Sequence, residues 1–254
     1  MSEIKSEDQA KISKIGFDNL LEDIFGLNIR ALKTIGVLFK SPAKYFKAAK
    51  TPDWTDRYTP SFRVWFGLMA MLVALKFLYT TETNIMIDAY TGMMEQVKAG
   101  MNSASPEKPI EFHTRLAAQE FLKWMMIYFP FAYIPVMALA AIVYRAWTEK
   151  LSYVTRLRFL FATAIPSAFM IILITLSTIF IDAKIFVIIS AVSLIIMIFL
   201  DFITAYRGPY AHVTSGGERF GRSFVLTIVL SVIYFTASFI AMLPAYARVF
   251  KDVL

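Results

Sequence analysis

Five long stretches of this sequence carry almost no charge, and a chain built that way has few places to fold other than a lipid bilayer. A hydrocarbon core of about 30 Å takes about 20 apolar residues of helix to cross. Within it only helices and closed barrels satisfy their own backbone groups. The stretches lie near Val64–Thr80, Leu122–Tyr144, Phe159–Ile181, Ile185–Leu200 and Ser223–Ala247. The fourth extends to Tyr206 if Asp201 reaches headgroup level, as ionisable side chains near helix ends do. An apolar content of 57% supports this reading against one or two soluble domains. The expected fold is all-α: a polytopic bundle of about five transmembrane helices over residues 61–254, behind an N-terminal segment at 1–60 with basic amphipathic helices.

Orientation follows from Lys and Arg on alternate sides. With the N-terminus inside, residues 1–63 carry eleven, 145–158 four and 207–222 three, while the opposite side carries seven. The loop at 82–121 points the same way, with six acids against three Lys or Arg. A cytoplasmic N-terminus and an external C-terminus are predicted. The net charge of +7 then reads as topology signalling and attraction to anionic headgroups. Nucleic acid is not an expected partner, because no basic segment is interleaved with an aromatic platform. The absence of cysteine excludes disulfides, thiolate metal sites and cysteine nucleophiles. The polar, mixed-charge start is no secretory signal, and no myristoylation or prenylation motif is expected.

In the N-terminal segment Phe25, Ile29, Leu32, Gly36 and Phe39 recur at helical steps, with Arg30, Lys33 and Lys40 on another side. Arg30 to Lys50 holds six basic residues and no acid. Ser41-Pro42 reads as an N-cap and first-turn proline, so a second short helix is predicted from Pro42 toward Lys50, before Pro52 and Pro60 break the chain. Such a helix lies on an anionic leaflet, packs on the protein's own spans, or does both. Arg30, Lys33, Lys40, Lys44 and Lys47 are therefore candidate headgroup contacts. In the external loop, Asn84–Ala99 is a predicted amphipathic helix that stops in the turn-rich Gly100–Pro109, and a further helix from about Ile110 feeds the second span.

Chemistry inside the spans is sparse. Lys76 is the ionisable residue read as well inside one, near its external end, where snorkelling accounts for it. Asp182 and Lys184 mark an interface turn. Pro130, Pro135, Pro166 and Pro244 are tolerated kinks, and the Ser and Thr residues of the third and fifth spans serve interhelical bonding and close packing, or a polar pathway. His113 and His212 fall on opposite sides, and Glu111 and His113 do not share a helix face, so no metal site is expected. In the loop Thr214–Arg222, Arg219 and Arg222 are candidates to hold a lipid phosphate beside glycines, or plain topology anchors. Trp54, Trp65, Trp124 and Trp147 sit near span ends, as an aromatic belt does. No catalytic constellation and no cofactor site emerges.

The N-terminal third resembles a bacterial membrane family known as domain of unknown function 3667. The likeness is carried by Arg30-Ala31-Leu32-Lys33-Thr34-Ile35, by Lys40-Ser41-Pro42 with Tyr45-Phe46, and by Arg57-Tyr58-Thr59-Pro60-Ser61-Phe62-Arg63 leading into the first span. That family often begins with a cysteine zinc ribbon, which a chain without cysteine lacks. Leu151-Ser152-Tyr153 through Ala164-Ile165-Pro166 resembles the start of the third span in the Yip family, whose members have a cytoplasmic N-terminal segment, five spans and an external C-terminus. These resemblances imply the bacterial inner membrane and offer no catalytic residue. The function expected is that of a non-catalytic membrane protein that organises anionic lipids or assembles with other membrane proteins or with itself. A transporter or channel subunit is the alternative, and a lipid-modifying enzyme ranks third.

Overall fold

The computed structural model describes residues 29–51, 54–79, 85–104, 106–147, 151–177 and 183–253. Phe25, Pro52 and Asp182, and the side chains of Trp54, Lys76, Trp147 and Lys184, lie outside the described part. The described residues form helices α1 (Ile29–Lys40), α2 (Pro42–Ala48), α3 (Trp54–Arg57), α4 (Ser61–Tyr79), α5 (Ile85–Ala104), α6 (Thr114–Val143), α7 (Tyr153–Ser177), α8 (Ala183–Arg207) and α9 (Gly216–Val253). A 3-10 turn, Tyr144–Trp147, continues α6, and no strand occurs among them.

Three helical segments are long and apolar enough to cross a membrane: Thr114–Ala146, Tyr153–Ser177 and Gly216–Lys251. The pattern of exposure agrees with their composition. Along α9 an exposed stripe runs through Phe220, Phe224, Ile228, Val232, Phe235, Phe239 and Leu243. At 1.5 Å per residue that stripe is about 35 Å long, a little more than a hydrocarbon core. Ile188, Val192, Ile195 and Phe199 continue the apolar surface on α8. Water would not tolerate a girdle of this extent, whereas lipid solvates it. The inward faces are built from small and aromatic residues, as in Phe159–Ala168 of α7, where every residue is buried. The prolines at 130, 135, 166 and 244 all lie inside continuous helices.

Two cores result. The larger joins α1, α2, α4, α7, the C-terminal halves of α6 and α8 and the N-terminal half of α9, and includes Leu38, Phe46, Trp65, Met137, Phe161 and Leu230. The smaller lies at the other end, where α5 folds against α6 and meets the last turns of α9 through Met94, Ala117, Phe121, Ala245 and Val249. Arg115 is paired with Asp88 at 3.0 Å across that contact, and Lys98 with Glu111 at 2.5 Å.

Several local expectations are corrected. The apolar stripe predicted for α1 is not its buried face: Ile29, Leu32 and Gly36 are exposed, and Ala31, Thr34, Ile35 and Leu38 are buried. The reason is a polar clamp. Thr34 Oγ1 donates to the Arg30 carbonyl at 2.8 Å and accepts the Thr59 amide at 3.0 Å, which turns this side toward the bundle. Ser41 stands before Pro42 as predicted, yet its side chain makes no capping bond. Helix α5 does not stop at Gly100 but continues to Ala104, because Asn102 accepts the Ile110 amide at 2.7 Å and a closed turn follows the helix. The helix into the second span begins at Thr114, not at Ile110.

Candidate functional site

The seven candidate headgroup residues separate into two groups. Arg30, Lys33, Lys40, Lys44 and Lys47 are all exposed on α1 and α2. Arg30 donates to the Thr55 carbonyl at 3.1 Å, and none of the four lysines is ion-paired among the described residues. Helices α1 and α2 pack against α7 and α8, so docking on the spans and presentation of a basic surface occur together. Phe39 meets Phe169 at 6.0 Å, Phe46 meets Phe159 at 4.8 Å, and Arg207 donates to the Lys40 carbonyl at 2.8 Å.

Arg219 and Arg222 are not in a loop. The segment from Gly216 is the first part of α9, with the Glu218 amide 3.5 Å from Ser215 Oγ. Arg219 donates from Nε to the Tyr206 carbonyl at 2.7 Å, and its guanidinium carbon lies 4.0 Å from the centre of the Tyr206 ring. Arg222 is paired with Glu218 at 2.5 Å. Arg219 thus joins α8 to α9 and Arg222 pairs within α9, so both guanidinium groups are engaged inside the protein.

The tryptophan belt is corrected as well. Trp65 is buried in the bundle and stacked on Tyr133, with ring centres 4.6 Å apart and planes 13° off parallel. Trp124 stacks on Tyr128 at 5.6 Å, and the Arg248 guanidinium lies 4.9 Å from its ring. Trp65 also meets Phe161 at 5.3 Å, so its neighbours are aromatic side chains of α6 and α7.

The feature that sequence reasoning missed is a partly open cavity of about 170 Å3 between the helices, with the exposed Leu194, Ile198 and Phe235 at its rim. Helices α4, α6, α7, α8 and α9 form its walls, and Tyr90 of α5 reaches it at the end nearest the α5–α6 hairpin. Asp201 lines it. This carboxylate lies about 9 Å of helix rise before Arg207, well inside α8 and not at its end. Its carboxyl faces Ser167 of α7 and Tyr133 of α6, and Oδ1 is buried with no hydrogen-bond partner among the described residues.

Ser231 and Ser238 of α9 also reach the cavity. The hydroxyls of Ser167 and Ser231 donate to their own helices, to the Ala164 and Thr227 carbonyls, both at 3.0 Å. Thr163 and Thr227 likewise bond within their own helices, at 2.8 and 2.9 Å. Thr163, Thr227 and Ser231 therefore do not meet the expectation of interhelical bonding, whereas Ser167 also interacts with Asp201 across to α8. With their hydrogens committed, Ser167 and Ser231 keep lone pairs that can accept from an occupant of the cavity.

The remaining wall is apolar, with a group of aromatic rings among aliphatic and methionine side chains. Trp65, Tyr133, Phe129 and Tyr234 form a continuous run of ring contacts, the latter three linked at 5.6 and 5.5 Å. No Lys, Arg or His among the described residues lines the cavity. No group of three metal-ligating side chains stands together among them either.

No family model matches this chain, and no curated protein and no solved structure is significantly similar to it. Function has to be read from the cavity and the basic surface.

Proposed function

We propose that this chain is a non-catalytic, five-span protein of the bacterial cytoplasmic membrane that holds a small solute in a chamber within its bundle, as a transporter or channel subunit does. The N-terminus is cytoplasmic and the C-terminus external, and α4 and α8 are the spans beyond the three long apolar segments. One observation carries the proposal: Asp201 lines the cavity from within α8, about 9 Å of helix rise before its last residue. A carboxylate within a span is costly, and such groups face ligand paths or water-filled spaces. Lipid organisation alone gives no reason for that position.

The basic surface belongs to the same arrangement. Arg30, Lys33, Lys40, Lys44 and Lys47 lie on the side where α4 begins and α8 ends, which is the cytoplasmic side in this topology. The exposed Ile29 and Leu32 adjoin them, so α1 rests on an anionic leaflet while docked on the bundle. A lipid-organising role for this surface is the second reading, favoured by those two exposed apolar residues.

The chain lacks cysteine, which makes a direct test simple. Ser231→Cys and Ser238→Cys line the proposed chamber, and Ile195→Cys faces outward with 68% of its surface exposed. In right-side-out vesicles and in inverted ones, a charged, membrane-impermeant thiol reagent should modify the two chamber positions much faster than Ile195→Cys. Equal slow modification at all three would mean a closed apolar void, and the chamber reading would be abandoned.

A further inference from the structure

Resting on that chamber reading, we infer that its occupant is a compact organic cation, an amine or quaternary ammonium whose charged centre sits between the Asp201 carboxylate and the ring faces of Trp65, Tyr133, Phe129 and Tyr234. Three features of the wall lead there. The first is charge. Asp201 is the one acidic side chain lining the cavity among the described residues, and no described basic side chain accompanies it. Its Oδ1 is buried without a hydrogen-bond partner. A buried carboxylate stays ionised only where a counter-charge compensates it, and a cationic occupant would supply that charge here.

The second feature selects the kind of cation. A small metal ion needs several oxygen ligands held close, six or more for the alkaline earths. This cavity supplies one carboxylate and a few hydroxyls spread over α7 and α9. Beside aliphatic and methionine side chains it supplies the rings of Trp65, Phe129, Tyr133 and Tyr234. Electron-rich ring faces attract cations whose charge is spread over a methyl-covered or alkyl-covered surface, and such contacts strengthen when water is excluded.

The third is size. At about 170 Å3 the cavity is close to the cavity of about 150 Å3 known to enclose a benzene ring. A cation of choline's dimensions fits this volume, whereas a phospholipid with its glycerol and acyl chains does not. The Ser167 and Ser231 lone pairs would accept from an N–H or O–H on the cation's polar end.

Choline and its uncharged carbon isostere, dimethylbutanol, are the probes. The full-length protein is placed in phosphatidylglycerol nanodiscs, where the bilayer itself offers no ammonium group, and binding to empty nanodiscs is subtracted. Choline should bind saturably and the isostere should not. Asp201→Asn should weaken choline binding about 30-fold or more, as loss of one partner of a buried charge pair does. Asp201→Glu should retain part of it. Tyr133→Phe, which keeps the ring, should bind within a few-fold of the native protein, and Tyr133→Leu should lose about fivefold. Choline should also slow thiol modification of Ser231→Cys. Equal binding of choline and its isostere, or unchanged choline binding in a folded Asp201→Asn protein, would overturn the inference. If Ser231→Cys is modified but choline neither binds nor protects it, the cation inference fails and the chamber stands. If Ser231→Cys is not modified at all, the chamber itself fails.

Discussion

The joint between the N-terminal helices and the bundle depends on one missing methyl group. A Cβ placed on Gly208 would lie 2.5 Å from Phe46 Cε2, 2.6 Å from Phe46 Cδ2 and 2.5 Å from the Thr204 carbonyl oxygen. Carbon atoms in contact normally sit at about 3.5–4.0 Å, so Gly208→Ala demands a movement of about 1 Å. Neither neighbour can supply it freely. The Phe46 ring is 2% exposed and packed edge-on against Phe159 at 4.8 Å, and the Thr204 oxygen belongs to the backbone of α8. Overpacking of this kind costs about 1–3 kcal/mol. Two contacts are near enough to be lost with it: the Arg207 bond to the Lys40 carbonyl and the Tyr45–Tyr58 ring contact at 5.4 Å.

The expected outcome is a lower melting temperature in nanodiscs, together with faster tryptic cleavage at Lys44, Lys47 and Lys50 as α2 lifts away. The double variant Phe46→Leu, Gly208→Ala should recover part of the resistance, because the smaller side chain vacates the contested space. Unchanged proteolysis and melting in Gly208→Ala would show that α2 is not held where the structure places it, and the docking argument would fall.

Three other outcomes follow from the same coordinates. A polarity-sensitive dye on Leu32→Cys should report a less polar environment in phosphatidylglycerol than in phosphatidylcholine nanodiscs, and Gln at Lys33, Lys40, Lys44 and Lys47 should remove most of the difference, as should high salt; insensitivity to lipid charge would count against leaflet contact. Asn102→Ala removes both side-chain bonds to Ile110, at 2.7 and 3.4 Å, so local stability of the α5–α6 turn should fall by about 1–2 kcal/mol, read as faster amide exchange at Ile110. Asp201→Asn should raise the melting temperature, because a buried ionisable group whose Oδ1 has no partner is replaced by a neutral group of the same shape; a fall would mean that the contact with Ser167 stabilises the carboxylate by more than its burial costs.

Much of the architecture could be read from composition and periodicity, since helices in an apolar solvent are specified by length and charge distribution. The stretch near 223–247 falls inside a long helix, those near 122–144 and 159–181 do so as far as Val143 and Ser177, and Pro42 begins a short one. Where the helix ends were misjudged, polar side chains decided the matter locally. Ser215 and Glu218 have the spacing of a capping box, a signal that α9 begins at Gly216 and not at Ser223. Glycines at 216, 217 and 221 drew attention toward a loop, yet a glycine within a helix costs only about 1 kcal/mol relative to alanine, which the burial of a 38-residue helix easily offsets. The face of α1 was harder to find. Its large apolar residues Ile29 and Leu32 are exposed, and Thr34, a polar residue, is completely buried. A stripe rule reads the larger side chains as the inner face, which fails when a bilayer offers them an equally apolar outside.

The same failure hid Asp201. Read by hydropathy, a carboxylate six residues before Arg207 marks the end of a span, because ionisable groups are assumed to reach for water. Read by residue size, the segment says something different. Asp201, Thr204, Ala205 and Gly208 follow one another at i, i+3, i+4 and i+7, and the last three are buried, so Asp201 continues the side of α8 that approaches its neighbours. Ile195 and Phe199 lie on the other side and are the exposed ones. In a membrane the inner face of a helix is marked by its small and polar residues and the outer face by its large apolar ones, the reverse of the rule for a soluble bundle. A carboxylate on the small-residue side cannot reach headgroups without crossing the packed interface. It therefore has to face whatever space the interface leaves, and that space is the cavity between Ser167, Tyr133 and the serines of α9.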